Sequence, residues 1–354
     1  MLAANAVLVP AEALLETCRR ILEKVGVPPE QARIIAEVTV EADLRGIGSH
    51  GVLRLPAYVH RVRAGLMTAD TQLKVVRERG ATVLLDAQGG FGQVAGVYAM
   101  NQAIERARQH GVGFVAVRNA NHFGIAAYYT MMALPHRMIG IAATNAAPSM
   151  AAWGGTTPVL GTNPISVAIP TGQDVDIVLD MASSVVARGK IRAAAAKGER
   201  IPLGWALDAE GRPTEDPQAA LKGTLLPIGG PKGYGLALVV DVLAGVLTGS
   251  DYSVYLASLH DLSRRASVGF VMQAVDITAF SDWTEYEKGM RSLIEVIRNS
   301  PRAPGVDRIY LPGEIEWLRR QQYWQSGVPV PVKVVEELEG LASDLGVTVD
   351  LSRE

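Results

Sequence analysis

The chain has 354 residues, a formal net charge of −2, 48% hydrophobic residues and 36 glycines. This length is large for a single hydrophobic core and predicts about two structural units. The small net charge excludes the broad basic field that binding to nucleic acid or to an anionic membrane surface requires. The single cysteine, Cys18, excludes intrachain disulfides and cysteine-based metal sites.

The first 65 or so residues are predicted to be helical. Apolar side chains recur at helical spacing over 11–25, and Gly26 with the following prolines ends that helix. A second helix is predicted over 30–45. A third contains Pro56, which either kinks it or marks its first turn. The N-terminus lacks a basic segment before its apolar residues, so we predict no secretory signal and a cytoplasmic protein.

The middle of the chain alternates short apolar strands with a helix over 94–109, which indicates an α/β fold. A long connection rich in Gly, Pro and Asn runs from 145 to 164, and such loops often carry function. The longest apolar run, 236–247, is interrupted by Asp241 and is too short to span a bilayer. The predicted strands are 82–86, 112–117, 139–144, 165–169 and 177–180.

The pattern after about residue 285 is again mostly helical and ends in a helix over 331–345. We therefore predict that residues 1–75 and 285–354 together form a helical domain. Residues 76–284 are predicted to form an α/β domain that binds cofactor and substrate.

The segment DLRGIGSHGVLRL, residues 43–55, combines an acid–base residue with an anion-binding one. His50 follows the hydroxyl of Ser49, and Arg54 comes four residues later, on the same face if the segment is helical. An imidazole moves protons near neutral pH, and a guanidinium grips a carboxylate. The pair fits a small keto or hydroxy acid, although Ser49 could simply cap a helix and Arg54 could be a solvated charge.

Two glycine-rich segments are candidate phosphate loops. Residues 90–95 fit G-x-G-x-x-A between a strand and a helix. No acidic residue follows the next strand to bind a ribose, but Arg118 there could suit a 2′-phosphate, so the motif is not excluded. The segment 229–235 precedes a strongly apolar helix, and its Lys232 adds a positive charge to the backbone N–H groups of a helix N-terminus. The alternative for the second segment is an ordinary loop before a core helix.

Three further polar residues lie at the ends of predicted strands or in turns. His122 follows the strand that ends at Val117, where α/β proteins often bind ligands. Thr162 belongs to a polar turn that could bond a carboxylate, and Asp180 could orient a histidine or cap a helix. The six histidines show no metal-ligand spacing, so no metal is predicted.

With these residues assembled, the chain resembles the malate/L-lactate dehydrogenase family of the second, non-Rossmann type, from about residue 10 to 347. The resemblance implies a central mixed sheet covered by helices, with the helical domain built from both chain ends. It also implies NAD- or NADP-dependent hydride transfer at C2 of a 2-hydroxy or 2-oxo acid or of a cyclic imino acid. The resemblance further implies a homodimer whose active site lies near the subunit interface. It rests on seven motifs in order: ADLRGIGSHGVLRL, RNANHFG, WGGTTPVLGTNP, LDMASSVVARGKI, ALDAEGRPTEDP, GGPKGYGLAL and LPGEIE.

The resemblance also implies roles for particular residues. His50 matches the proton donor and acceptor, with Ser49 and Asp180 as its relay partners. Arg54 and Thr162 match substrate contacts, and His122 lies at the substrate side of the cleft. The cofactor would be held by Asp180, Met181, Ser183, Pro231, Lys232, Gly313, Glu314 and Ile315. In this fold the glycine loop at residue 90 would not bind phosphate.

Two positions depart from the family pattern. Gly48 replaces an acidic residue that often precedes the Ser-His pair, which alters how the loop is anchored. Pro231 stands where an aromatic residue or histidine usually precedes the lysine. Malate and lactate are the first substrates to consider, with ureidoglycolate, sulfolactate or a cyclic imine on the same frame. A dinucleotide-binding protein without catalysis is the competing class of function.

Overall fold

The computed structural model describes residues 6–351. Residues 1–5 and 352–354 of the predicted helical domain lie outside the described residues, and so does the start of the segment on which the prediction of no secretory signal rests. No helix in the described range is both long and apolar enough to cross a membrane. The α-helices are α1 (Ala11–Lys24), α2 (Pro29–Leu44), α3 (Leu55–Arg63), α4 (Gly92–His110), α5 (Ala126–Met131), α6 (Arg188–Lys197), α7 (Pro217–Lys222), α8 (Pro231–Asp241), α9 (Trp283–Asn299), α10 (Glu314–Ser326) and α11 (Val332–Asp344).

Short 3-10 turns and one π-helical segment, Val242–Val246, complete the helical structure. Pro56 lies in the first turn of α3. The backbone N–H groups of a first turn have no partner within the helix, so a proline there removes no hydrogen bond and does not kink the helix. The strands are β1 (Ala6–Val9), β2 (Lys74–Arg79), β3 (Thr82–Asp86), β4 (Val112–Ala120), β5 (Met138–Thr144), β6 (Met150–Ala151), β7 (Pro158–Leu160), β8 (Ile165–Ile169), β9 (Ile177–Met181), β10 (Ala206–Leu207), β11 (Thr224–Leu225), β12 (Val268–Asp276) and β13 (Val328–Pro331).

The central sheet has seven strands in the order β2-β3-β4-β12-β5-β8-β9. Only β3 and β4 pair in parallel, and the other five pairings are antiparallel. A doubly wound dinucleotide-binding sheet is mostly parallel, so this topology excludes it. The predicted mixed α/β fold of non-Rossmann type is confirmed.

The glycine loop before α4 serves packing. A Cβ at Gly92 would lie 2.2 Å from the carbonyl oxygen of Asn121, and one at Gly96 would lie 2.6 Å from the ring of Tyr129. Both distances are below any normal contact, so only glycine lets α4 approach the segment after β4 this closely. The G-x-G-x-x-A pattern is therefore explained by close helix packing.

The two ends of the chain meet in one hydrophobic core. Strand β1 pairs with β13, and the side chains of α1, α2 and α3 pack with those of α11. The apolar stripe of α1, including Leu14, Cys18 and Leu22, is fully buried in this core. A second core lies between α4, α5 and the central sheet, and a third joins residues between 150 and 237. The boundaries of the two predicted domains stay a prediction.

Candidate active site

The segment that carries His50 is not a continuous helix, so the predicted helical face shared by His50 and Arg54 is wrong. Two 3-10 turns, Gly48–His50 and Val52–Arg54, are separated by Gly51 in an extended conformation. Asp43 causes the break, because its carboxylate accepts the N–H of Val52 at 2.7 Å. The chain at Gly51 passes so close that an added Cβ would lie 1.9 Å from Asp43 Oδ1.

The same turn nevertheless brings His50 and Arg54 together. The Ser49 hydroxyl is 2.9 Å from His50 Nδ1, and the Nε2 atom of that ring makes no hydrogen bond to any described residue. Arg54 Nε donates to the carbonyl of Ser49 at 2.7 Å, and its Nη1 is 3.0 Å from His260 Nε2. The guanidinium is thus folded back toward the backbone that holds His50 and remains partly exposed.

A second imidazole, that of His122, stacks on His50. The two ring centroids are 5.5 Å apart and the planes differ by 21°. Nδ1 of His122 lies 2.7 Å from the Tyr58 hydroxyl and 3.3 Å from the N–H of Gly124. The Nε2 atom of His122 makes no bond to the described residues, so each ring retains one nitrogen for a ligand.

Burial and neighbouring positive charge keep both rings neutral. Burial lowers the pKa of His50 to about 4, and Arg54 adds to the effect. Burial also lowers the pKa of His122 well below its usual range, with further contributions from His50, Arg54 and His260. The ligand-free site therefore holds two neutral imidazoles beside a permanent cation, which suits an anionic ligand.

The two histidines line a cavity of about 120 Å³. Its wall is mostly apolar, but Thr162 and Asn145 line it as well, and the buried Oδ1 of Asn121 has no hydrogen-bond partner in the described structure. Apolar walls with a few polar groups are typical of small-molecule sites. The lining residues are His50, Asn121, His122, Phe123, Gly124, Thr144, Asn145, Ala146, Ala147, Thr162, Pro164, Leu256, Ala257, Leu259, Ala266 and Val268.

Asp180 and Gly313 line a separate cavity of about 180 Å³. The carboxylate of Asp180 accepts the N–H of Ala127 at 2.8 Å, and burial raises its pKa to about 6. The described structure shows no hydrogen bond from Asp180 to His50 or Ser49. The structure thus places Asp180 with part of the predicted cofactor set, and its relay role stays a prediction.

The other predicted cofactor residues are spread over several places. Ser183 donates to the carbonyl of Thr162 at 2.8 Å, which ties the end of β9 to the histidine cavity. Met181, the last residue of β9, pairs with β8. The Glu314 side chain is fully buried between Arg298 and Arg308, so it neutralises two cations and stabilises the segment.

Three of the predicted cofactor positions are on the surface. Ile315 is 40% exposed at the start of α10. Pro231 and Lys232 are exposed in the first turn of α8 and line none of the cavities described above. Their contact with a cofactor stays a prediction.

Several residues of the site were missed by sequence reasoning. Asp43 and Asn121 stand inside the quoted motifs, so their positions next to the Ser-His and His-Phe pairs were a usable signal. Tyr58 lies four residues after Arg54 on α3 and carried no such signal. His260 comes from a loop 206 residues away along the chain from Arg54, and only the fold brings it to the site.

Comparison with known proteins agrees with this architecture. Residues 9–339 match the family model described as malate/L-lactate dehydrogenase. The malate dehydrogenase of Pyrococcus abyssi is 41% identical, covering 97% of this chain and 96% of the relative. The L-sulfolactate dehydrogenase of Methanocaldococcus jannaschii is 41% identical over 93% of this chain and 95% of its own.

The solved structure of malate dehydrogenase from Pyrococcus horikoshii superimposes with a TM-score of 0.91 at 38% identity, and the match covers 99% of both chains. Sequence, fold and length therefore agree over nearly the whole molecule. The chain belongs to the malate/L-lactate dehydrogenase family of oxidoreductases.

Proposed function

We propose that this chain transfers a hydride between NAD or NADP and C2 of a small 2-hydroxy or 2-oxo acid. Malate with oxaloacetate and lactate with pyruvate are the substrate pairs to test first. The observation that carries the proposal is the stacked pair of neutral imidazoles, 5.5 Å apart, lining one small cavity with Arg54 bonded to the same loop. The malate and sulfolactate dehydrogenases among its relatives support it.

The permanent charge beside the histidines favours an acid as substrate. Besides burial, the Arg54 guanidinium lowers the pKa of both His50 and His122, so its positive charge reaches both rings. A guanidinium binds a carboxylate through two parallel hydrogen bonds. Arg54 would hold the substrate carboxylate in this way, and Thr162 would contribute a hydroxyl from the opposite loop.

The residues present fit a nicotinamide cofactor, which would supply the hydride acceptor or donor when bound. Asn121 offers an unpaired buried amide oxygen beside the histidines, and the carboxamide of nicotinamide carries a matching N–H. Asp180 and Gly313, two of the positions that the family resemblance gives to the cofactor, line one further cavity together. A Cβ added at Gly313 would lie 2.5 Å from the carbonyl of Val178 in β9. Only glycine therefore lets the chain approach β9 this closely at that position.

In the oxidation direction, neutral His50 accepts the hydroxyl proton of the substrate through its free Nε2. Ser49 bonds the opposite nitrogen and stabilises the resulting imidazolium. In the reduction direction, the imidazolium of His50 gives its proton to the developing alkoxide. The bound carboxylate opposes the effect of Arg54 on the pKa of His50, so that the charged form becomes accessible.

An absorbance assay of reduced nicotinamide over a panel of 2-oxo acids tests the proposal. NADH and NADPH are each combined with oxaloacetate, pyruvate, sulfopyruvate and a cyclic imine. We expect turnover with at least one anionic 2-oxo acid, and at least a 100-fold loss of kcat in His50→Ala with little change in cofactor affinity. Full turnover in His50→Ala would transfer the proton role to His122. Cofactor binding without turnover on any substrate would favour a non-catalytic dinucleotide-binding protein.

We also propose that the chain forms a homodimer through α8 and the π-helical segment after it. Leu238, Val239, Val242, Val246 and Leu247 are 43–56% exposed there, which is a large apolar surface for a monomer. A second copy covers such a surface with the same surface in a two-fold dimer. The following loop lines the histidine cavity through Leu256, Ala257 and Leu259, so this interface would lie near the active site.

Sedimentation equilibrium measures the oligomeric state directly. We expect a dimer for the wild-type chain and a monomer for a Val242→Glu, Val246→Glu variant. The exposed Leu293 and Val296 of α9 provide the control, because Leu293→Glu, Val296→Glu places the same two charges on another helix. A wild-type monomer would contradict the proposed dimer.

A further inference from the structure

We infer that Gly124 and Tyr58 hold His122 as the tautomer protonated at Nε2, so that this ring donates a hydrogen bond to the reacting oxygen of the substrate while His50 exchanges the proton. The inference rests on the proposed function for the identity of that oxygen. The tautomer itself follows from contacts in the ligand-free chain. It assigns Tyr58 as a positioning residue.

The N–H of Gly124 determines which ring nitrogen can carry hydrogen. It points at His122 Nδ1 across 3.3 Å, and a backbone N–H can only donate. A hydrogen on Nδ1 would face that N–H directly. The lone pair must therefore be on Nδ1, and in a neutral imidazole the hydrogen is then on Nε2.

With the lone pair on Nδ1, the Tyr58 hydroxyl donates to this nitrogen as well, and the two donors share one acceptor. The hydroxyl is 2.7 Å from His122 Nδ1, and burial raises the pKa of Tyr58, so the phenol keeps its proton. The residue is fully buried, and the edge of its ring meets Phe91 at a centroid distance of 6.0 Å. A ring held this firmly fixes the hydroxyl, and through it the orientation of the imidazole.

The surroundings of His122 also oppose its protonation. The titratable and charged groups that act on it are His50, Arg54 and His260, and each disfavours an imidazolium. Tyr58 remains neutral, and no carboxylate is among the groups that shift this histidine. In the ligand-free chain His122 is therefore a neutral donor.

His50 differs in the partner of its Nδ1. The Ser49 hydroxyl can either donate to that nitrogen or accept from it, so it tolerates both the neutral and the charged ring. The two stacked imidazoles consequently have separate tasks. His50 gains and loses a proton, and His122 polarises the carbonyl or hydroxyl oxygen with a fixed hydrogen bond.

Nitrogen-15 NMR of the ring nitrogens tests the tautomer in the wild-type, ligand-free chain. The chain has six histidines, and a His122→Asn variant identifies the signals of this one. We expect His122 to show a protonated Nε2 and an unprotonated Nδ1 from pH 6 to pH 9. A protonated Nδ1 in the wild-type chain would overturn the inference, whether or not the chain reduces a 2-oxo acid.

Tyr58→Phe removes one of the two donors and leaves the ring in place. We expect a detectable population of the other tautomer, an upward shift in the pKa of His122, and a fall of about tenfold in kcat with little change in KM. Tyr129→Phe is the matched control, because it removes a fully buried hydroxyl that bonds the carbonyl of Phe123 and not a histidine. Equal losses of kcat in both variants, with an unchanged tautomer, would overturn the role of Tyr58. An Nε2–H tautomer without turnover on any substrate would instead contradict the proposed function.

Discussion

Gly51 is the position at which we expect one added methyl group to lower the activity strongly while the chain still folds. In Gly51→Ala the new Cβ would lie 1.9 Å from Asp43 Oδ1, where an ordinary contact is about 3.4 Å. Asp43 cannot turn away without losing its bond from the N–H of Val52. The loop that carries His50 must therefore move by about 1.5 Å, and a 1 Å misplacement of a reacting group costs on the order of 100-fold in rate.

We expect kcat/KM for the preferred 2-oxo acid to fall about 100-fold in Gly51→Ala. Overpacking should lower the free energy of unfolding by about 1–3 kcal/mol in urea, so the chain still folds. Gly48→Ala is the matched control in the same turn, because its Cβ would lie 3.4 Å from the same oxygen. We expect Gly48→Ala to change kcat/KM by less than about threefold.

The double variant Asp43→Ala, Gly51→Ala removes the overlap and leaves the N–H of Val52 unpaired. It should regain the unfolding free energy only in part, since leaving a buried N–H without a hydrogen-bond partner costs about 1–3 kcal/mol. Wild-type kcat/KM in Gly51→Ala would refute the idea that Asp43 places the His50 loop. Equal losses in Gly51→Ala and Gly48→Ala would refute it as well.

Three further changes test other parts of the site. Arg54→Lys keeps the charge but loses the planar fork, so steady-state kinetics should show a rise of about tenfold in KM for the 2-oxo acid. Arg61 is fully buried and donates to the carbonyl of Asp261 at 2.5 Å. Arg61→Met should lower the free energy of unfolding in urea by about 2–4 kcal/mol. Arg63 is exposed, so Arg63→Met should lower it by less than about 0.5 kcal/mol. Burial raises the pKa of Asp43 from 3.8 to about 7, so its share of stability falls as pH rises between these values. Asp43→Asn should reduce the difference in unfolding free energy between pH 5 and pH 8 by up to about 3 kcal/mol.

The sequence predicted regular elements best where periodic patterns determine them. The predicted strand over 82–86 matches β3, and the helical stripe over 11–25 matches α1 to within a residue. Strands β2 and β12 were not predicted. Every residue of β2 is exposed, so it lacks the apolar alternation that marks a strand. In the structure β12 lies at the centre of the sheet between β4 and β5, so it determines the order of the strands.

The site was predictable as a set of residues but not as a geometry. The prediction that His50 and Arg54 share a surface assumed a helix, and their proximity instead comes from a bond between Arg54 Nε and the carbonyl of Ser49. That bond depends on the chain reversal at Gly51, which in turn depends on a carboxylate eight residues earlier. Spacing rules describe regular helices and strands, so they do not cover a turn shaped by one buried side chain.

Gly48 departs from the family pattern, and a different residue of this chain anchors the loop that carries His50. An acidic side chain before the Ser-His pair would be available to bond backbone N–H groups of the turn, and its absence predicted a different anchor for the loop. The structure supplies a carboxylate from α2 instead, since Asp43 bonds Val52 and lies against Gly51. A residue on a packed helix is held more rigidly than one on the loop itself. The loop that carries His50 is therefore anchored by a carboxyl group of α2, which belongs to the helical core.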